Sequence, residues 1–172
     1  MKLFISHTSD RWGRHNSHVL AYANNKFCIY FNKHRLKNLT EREFVWCLLH
    51  ELAHLSRSLD IGPYEISHDI GWFQHCSKFY EMYFGKQEAR IMLLREIQKY
   101  LIPNDDNPLE TNPIDVLDLF NNMFPEIIEF HNSIFQFNED DKHMWEVIVK
   151  AYDYIEEVIF KEALTELTIS VT

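Results

Sequence analysis

The stretch from Thr40 to Leu59 constrains this chain more than any other. Phe44, Leu48, Leu52, Leu55 and Leu59 recur at spacings of three and four, the period of one apolar helical face. Thr40 followed three residues later by Glu43 reads as a capping box, and Gly62 with Pro63 stops the helix. Inside the stretch lies His50-Glu51-Leu52-Ala53-His54. On a helix, positions i and i+4 sit one turn apart on the same face. Two imidazoles so placed can reach one metal ion, while the apolar stripe points away from them. Glu51 lies about 100° round the helix from His50, beside the metal position but off the line of ligands. That is where a general base for activated water belongs. With ten His and sixteen Glu in the chain, an HExxH arises by chance with a probability of roughly 0.05, so its helical setting carries weight.

Around this helix the periodicity changes. Residues 2–6, 18–23 and 26–31 read as strands, with Asn24-Asn25 as a tight hairpin turn. Residues 69–84 read as an aromatic-rich helix ended by Gly85, and residues 87–101 as another. Residues 102–113 are rich in Pro, Asn and Asp and mark a boundary. Pro113 and Pro125 suit the first turns of two helices. Ile148, Tyr152, Ile155 and Ile159 form an amphipathic stripe on a long last helix, packed inward or, alternatively, forming a dimer seam. The expected fold is α+β. A small antiparallel sheet of two or three strands packs on the HExxH helix and the helices after it. A core over residues 1–102 precedes a mainly helical extension over 103–172.

The chain has 172 residues, 46% hydrophobic and 25% charged, which excludes global disorder, collagen-like repeats and a disulfide scaffold. Cys28, Cys47 and Cys76 are odd in number and form no CxxC pair, and no apolar leader precedes them. Reduced thiols and a cytoplasmic location are expected. The longest apolar run, Phe44 to Leu49, falls far short of the ~20 residues that span a bilayer. The net charge of -9 speaks against nucleic acid or anionic membranes as main partners. Split at the linker, it resolves into 14 basic and 10 acidic side chains before residue 103, and 3 basic and 16 acidic after it. The first half carries a mild basic cluster of Lys33, Arg35, Lys37 and Arg42, compatible with weak approach to nucleic acid.

A catalytic zinc site needs a third protein ligand and an open position. The extended pattern HExxHxxGxxH is not met, because Arg57 and Asp60 occupy the Gly and last His places. His68 fits best, beyond the turn at Gly62-Pro63 and just before the aromatic helix. Asp60, Glu65, His75 and Asp69 are alternatives, with Asp69 read first as an N-cap. Cys47, one turn before His50, reads as a small packed residue. Tyr64, His75, Tyr80 and Tyr83 are candidate donors to an oxyanion, and the sequence does not choose among them.

The strand Lys26 to Leu36, the helix with His50-Glu51-Leu52-Ala53-His54, and the run His68-Asp69-Ile70-Gly71-Trp72-Phe73 together resemble the small zinc peptidases of the SprT-like and WLM groups, the minigluzincins. The resemblance covers roughly residues 18–84. It implies Zn2+ bound by His50, His54 and His68, Glu51 as the base, and a protein or peptide substrate. The loop from His54 to His68 is longer than in the shortest members, and no Cys-rich ribbon follows. The alternative reading is a non-catalytic binding or inhibitory protein on the same scaffold. Its acidic C-terminal helices would then engage a protein partner.

Overall fold

The computed structural model of the chain describes residues 2–6, 21–24, 28–62, 68–102, 112–125 and 141–169. Three strands, β1 (Lys2–Ser6), β2 (Ala21–Asn24) and β3 (Cys28–Asn32), lie in the order β1-β3-β2. β2 runs antiparallel to β3, with Ala21 opposite Phe31 and Asn24 opposite Cys28. β1 runs parallel to β3, with Lys2 opposite Cys28 and Ser6 opposite Asn32. The pairing is therefore mixed, not antiparallel throughout. Alternation along a strand fixes which face is buried but says nothing of a partner's direction, and the long stretch between β1 and β3 permits a parallel return. The register also places three residues, 25–27, between β2 and β3, where a two-residue turn at Asn24-Asn25 is expected from sequence. Residues 18–20 and 25–27 lie outside the described residues.

After a short turn of helix, α1 (Lys33–Leu36), comes α2 (Glu41–Ile61). Its start is the capping box read from sequence. The Thr40 hydroxyl accepts from the Glu43 amide at 3.2 Å, and the Thr40 amide donates to Glu43 Oε2 at 2.8 Å. Gly62 closes the helix at φ 91°, a left-handed backbone that favours glycine. The apolar stripe of α2 meets the sheet. Ile29 and Phe31 point to one face of β3 and pack with Leu55, and Leu36, Phe44, Cys47, Leu48 and Leu52 close round them. Burying side chains of that size contributes about 1.5–3 kcal/mol each. The stripe outruns its cover. A five-residue strand spans about 17 Å, against roughly 22 Å along the helix from Phe44 to Leu59, and Leu59 emerges 69% exposed.

With its stripe given to the sheet, α2 turns its other side to α3 (Ile70–Phe84). Trp72, Phe73, Cys76 and Tyr80 of α3 are buried, as are Glu51, His54 and Ser58 of α2. Trp46 Nε1 donates to the Tyr80 hydroxyl at 2.6 Å across this contact. The chain divides by contacts into two compact units, Met1–Tyr80 and Glu81–Thr172. The division falls earlier than the Pro- and Asn-rich stretch after residue 102. The first unit carries ten basic and seven acidic side chains, the second seven and nineteen.

The second unit is helical among the described residues: α4 (Lys86–Tyr100), α5 (Pro113–Met123) and α6 (Asp141–Ile169). The Asn112 side chain caps α5 through the Ile114 amide at 3.0 Å, with Pro113 in the first turn. The helix expected after Pro125 lies outside the described residues. Ile148, Tyr152, Ile155 and Ile159 are all buried, so the stripe on α6 is used inside the chain, where α6 meets α4 and α5. Polar ties fix the α4–α6 register. Gln87 Nε2 donates to the Ile159 carbonyl at 3.0 Å, and the Tyr152 hydroxyl faces the Leu94 carbonyl at 3.4 Å and Glu156 Oε1 at 3.2 Å. Burial, and then the Glu156 carboxylate, raise that phenol well above its ordinary pKa. Among the described residues, no helix is long and apolar enough to cross a membrane.

Thr40→Ala removes the hydroxyl's part of the box, its bonds with the Glu43 amide and with Glu43 Oε2, and leaves the backbone amide at position 40 able to donate to Glu43. Chemical denaturation of this variant is expected to show a loss of about 1 kcal/mol.

Candidate metal centre

Two helices build the site. His50 and His54 stand one turn apart on α2, their ring centroids 5.0 Å apart. His68 stands just ahead of α3, with its ring centroid 5.1 Å from that of His50 and 4.7 Å from that of His54. One ligand atom from each of the three histidines lies within 4.8 Å of the others, close enough to bind one metal ion. The Nε2 atoms of His50 and His68 are 3.3 Å apart. Three imidazoles bound to zinc at 2.0–2.1 Å in a tetrahedron would show edges of roughly 3.3–3.4 Å. The His50–His68 edge matches that figure, and the three histidines lie close enough together to hold one metal ion. Glu51, next to His50 in the chain, is 5% exposed.

The indole of Trp72 backs all three imidazoles. Its ring lies 4.8 Å from His50, 5.2 Å from His54 and 4.5 Å from His68, centroid to centroid, and the residue is fully buried. Packed aromatic edges and faces of this kind restrict ring rotation. Trp72 thus limits the orientations the ligands can take and keeps bulk water from their inner side.

Asp69 caps α3, as its sequence position suggests: its Oδ1 accepts from the Trp72 amide at 2.8 Å, and its carbonyl accepts from the Phe73 amide at 3.1 Å. The same carboxylate is held by Arg57, one turn past His54 on α2. Arg57 Nε donates to Oδ1 at 3.0 Å and Nη2 to Oδ2 at 2.7 Å, a two-pronged pair. The hydrogen bonds to Asp69 raise the guanidinium above its usual pKa. Gly71 leaves the guanidinium its present place, since a Cβ there would overlap the guanidinium carbon of Arg57.

The remaining candidates are placed elsewhere or engaged elsewhere. Asp60 Oδ2 lies 2.6 Å from His75 Nε2, while His75 Nδ1 lies 3.0 Å from the Ser56 hydroxyl. Neither Asp60 nor His75 joins the imidazole cluster, and together with Ser56 they form a second tie between α2 and α3. Tyr80 is fully buried and accepts from Trp46. Tyr83 is exposed near the end of α3. Tyr64 and Glu65 lie outside the described residues. Sequence reasoning named Asp69 and Arg57 but missed that they meet. The signal available was an arginine three residues after the second histidine, with an acidic cap following the third.

The hydrogen bond to His75, reinforced by the charges of His75 and Arg57, holds the Asp60 carboxyl below its usual range. A carboxylate depressed on folding stabilises the protein above its unfolded pKa, about 4, and that stabilisation is lost as pH falls through the folded value. Asp60→Asn is expected to flatten this acid limb when unfolding free energy is followed from neutral pH downwards.

Comparison of the chain with models of protein families, with curated proteins and with solved structures finds no match to any of them.

Proposed function

We propose that the chain is a zinc-dependent peptidase of the HExxH type. His50, His54 and His68 hold the ion, and Glu51 acts as general base. The observation that carries this reading is the convergence of the three imidazoles, two from one helical face and one from the start of the next helix. The short sheet lying on the apolar stripe of the HExxH helix supports a zincin-like α+β arrangement. So does the resemblance of residues 18–84 to the SprT-like and WLM peptidases. The cysteine usage fits a reducing, cytoplasmic setting.

Zinc bound there supplies Lewis-acid chemistry, polarising a substrate carbonyl and making water ionisable near neutral pH. The protein supplies the rest. Glu51 takes a proton from the attacking water and passes it to the leaving amine nitrogen as the peptide bond breaks. Trp72 packs against the rings of the imidazoles and holds their planes. A second reading draws on the nineteen acidic and seven basic side chains of Glu81–Thr172: a binding or inhibitory protein on the same scaffold, docking on a basic partner.

The purified protein is expected to carry one zinc per chain, and His54→Ala to lose it. Glu51→Gln is expected to keep the metal and lose activity on an unfolded protein substrate by about 100-fold or more. Absence of stoichiometric metal in the parent, or full activity in Glu51→Gln, overturns the peptidase reading. Tight binding to a basic partner that survives chelation selects the second.

A further inference from the structure

His68 differs from the other two imidazoles in one respect. His50 and His54 are fixed by the helix that carries both. His68 precedes α3, so its place depends on how the first turn of α3 is docked on α2. Besides the Trp46–Tyr80 hydrogen bond, two polar ties among the described residues join these helices within the first unit, close to the histidines. One is Arg57–Asp69, which grips the residue next to His68 with two parallel hydrogen bonds. The other is Ser56–His75–Asp60, about two turns further along α3. The first carries more orientation. The Asp69 carboxylate binds the guanidinium fork and the Trp72 amide at once, so one group sets the helix start, the neighbouring ligand and the indole behind the ligands. Gly71 gives the fork its room. A guanidinium is the flexible end of a long side chain and can swing away from a methyl at position 71, which moves it from the place where it holds Asp69.

We infer that Arg57, Asp69 and Gly71 are positioning residues that present His68 to the metal in advance of binding. The inference rests on the metal reading of the three histidines. Outer groups that orient metal ligands typically change metal affinity by 10–100-fold when removed. The Arg57–Asp69 pair is expected to act on that scale although it touches no metal.

The test uses the full chain and three variants. Metal affinity is measured by competition with a chromophoric chelator, ligand number by the visible spectrum of the Co2+ form, and thermal stability on the metal-free protein. Arg57→Met is expected to weaken Zn2+ binding by roughly 10–100-fold and to shift the Co2+ spectrum. Gly71→Ala is the sharper variant. Alanine has the higher helix propensity, so a purely structural effect favours α3, whereas displacement of the fork predicts weaker binding and the same spectral shift as Arg57→Met. His75→Ala removes the Ser56–His75–Asp60 tie. It is expected to lower stability while leaving the affinity and the spectrum at parental values.

Parental affinity and spectrum in both Arg57→Met and Gly71→Ala overturn the inference, as does an equal loss of affinity in His75→Ala. Either result leaves the metal site of the parent standing. A parent that binds neither Zn2+ nor Co2+ removes the metal reading, and this inference with it.

Discussion

Three imidazoles can meet only if two helices are held in one register, and at this site that register is set by a planar fork gripping a carboxylate. The Arg57 and Asp69 side chains keep 21% and 35% of their surface in solvent. A pair so placed adds little to folding free energy, on the order of 0–1 kcal/mol. Its value is directional. Two parallel hydrogen bonds fix both distance and angle, as a single lysine contact would not. The larger energies come from Ile29, Phe31 and Leu55 beneath α2 and from Trp72, Phe73 and Tyr80 on α3. Burial holds the helices together, and the ion pair says where along each other they stop.

The division of labour on α2 follows from its sequence. A 21-residue helix with one apolar stripe would ordinarily leave its opposite side in water. Here the stripe faces the sheet, and the side with Glu51, His54 and Ser58 is buried as well. Buried polar groups need polar surroundings. Ser58 finds one in the Leu55 carbonyl at 2.7 Å. Of the two histidines on this face, His54 is buried and His50 only partly so, and both pack against the Trp72 ring.

Much of this was legible because it is local. The capping box at Thr40, the glycine stop at Gly62, the spacing of His50 and His54, and the stripe on α6 all lie within a few residues of their cause. His68 was also within reach, since a histidine just before a capped helix has a defined place. What stayed hidden needs distant partners. The direction of β1 depends on a strand more than twenty residues away. The exposure of Leu59 depends on how far the sheet extends. Asp60 and His75 look like ligands one at a time and become a structural pair only when α2 and α3 are laid together. Tyr80 is by type a candidate oxyanion donor, and only the assembled helices bury it with Trp46 donating to it.

The room left by Gly71 has a consequence for recognising this architecture elsewhere. Positions 57 and 71 are coupled through space occupied once. With the fork where it stands, a Cβ at position 71 would lie 2.3 Å from the Arg57 guanidinium carbon, so a side chain there displaces the fork. Chains that share the joint are expected to carry a composite signature: HExxH with arginine three residues on, then His-Asp-x-Gly-Trp opening the next helix. A search built on that paired pattern could find kin that overall similarity does not reach.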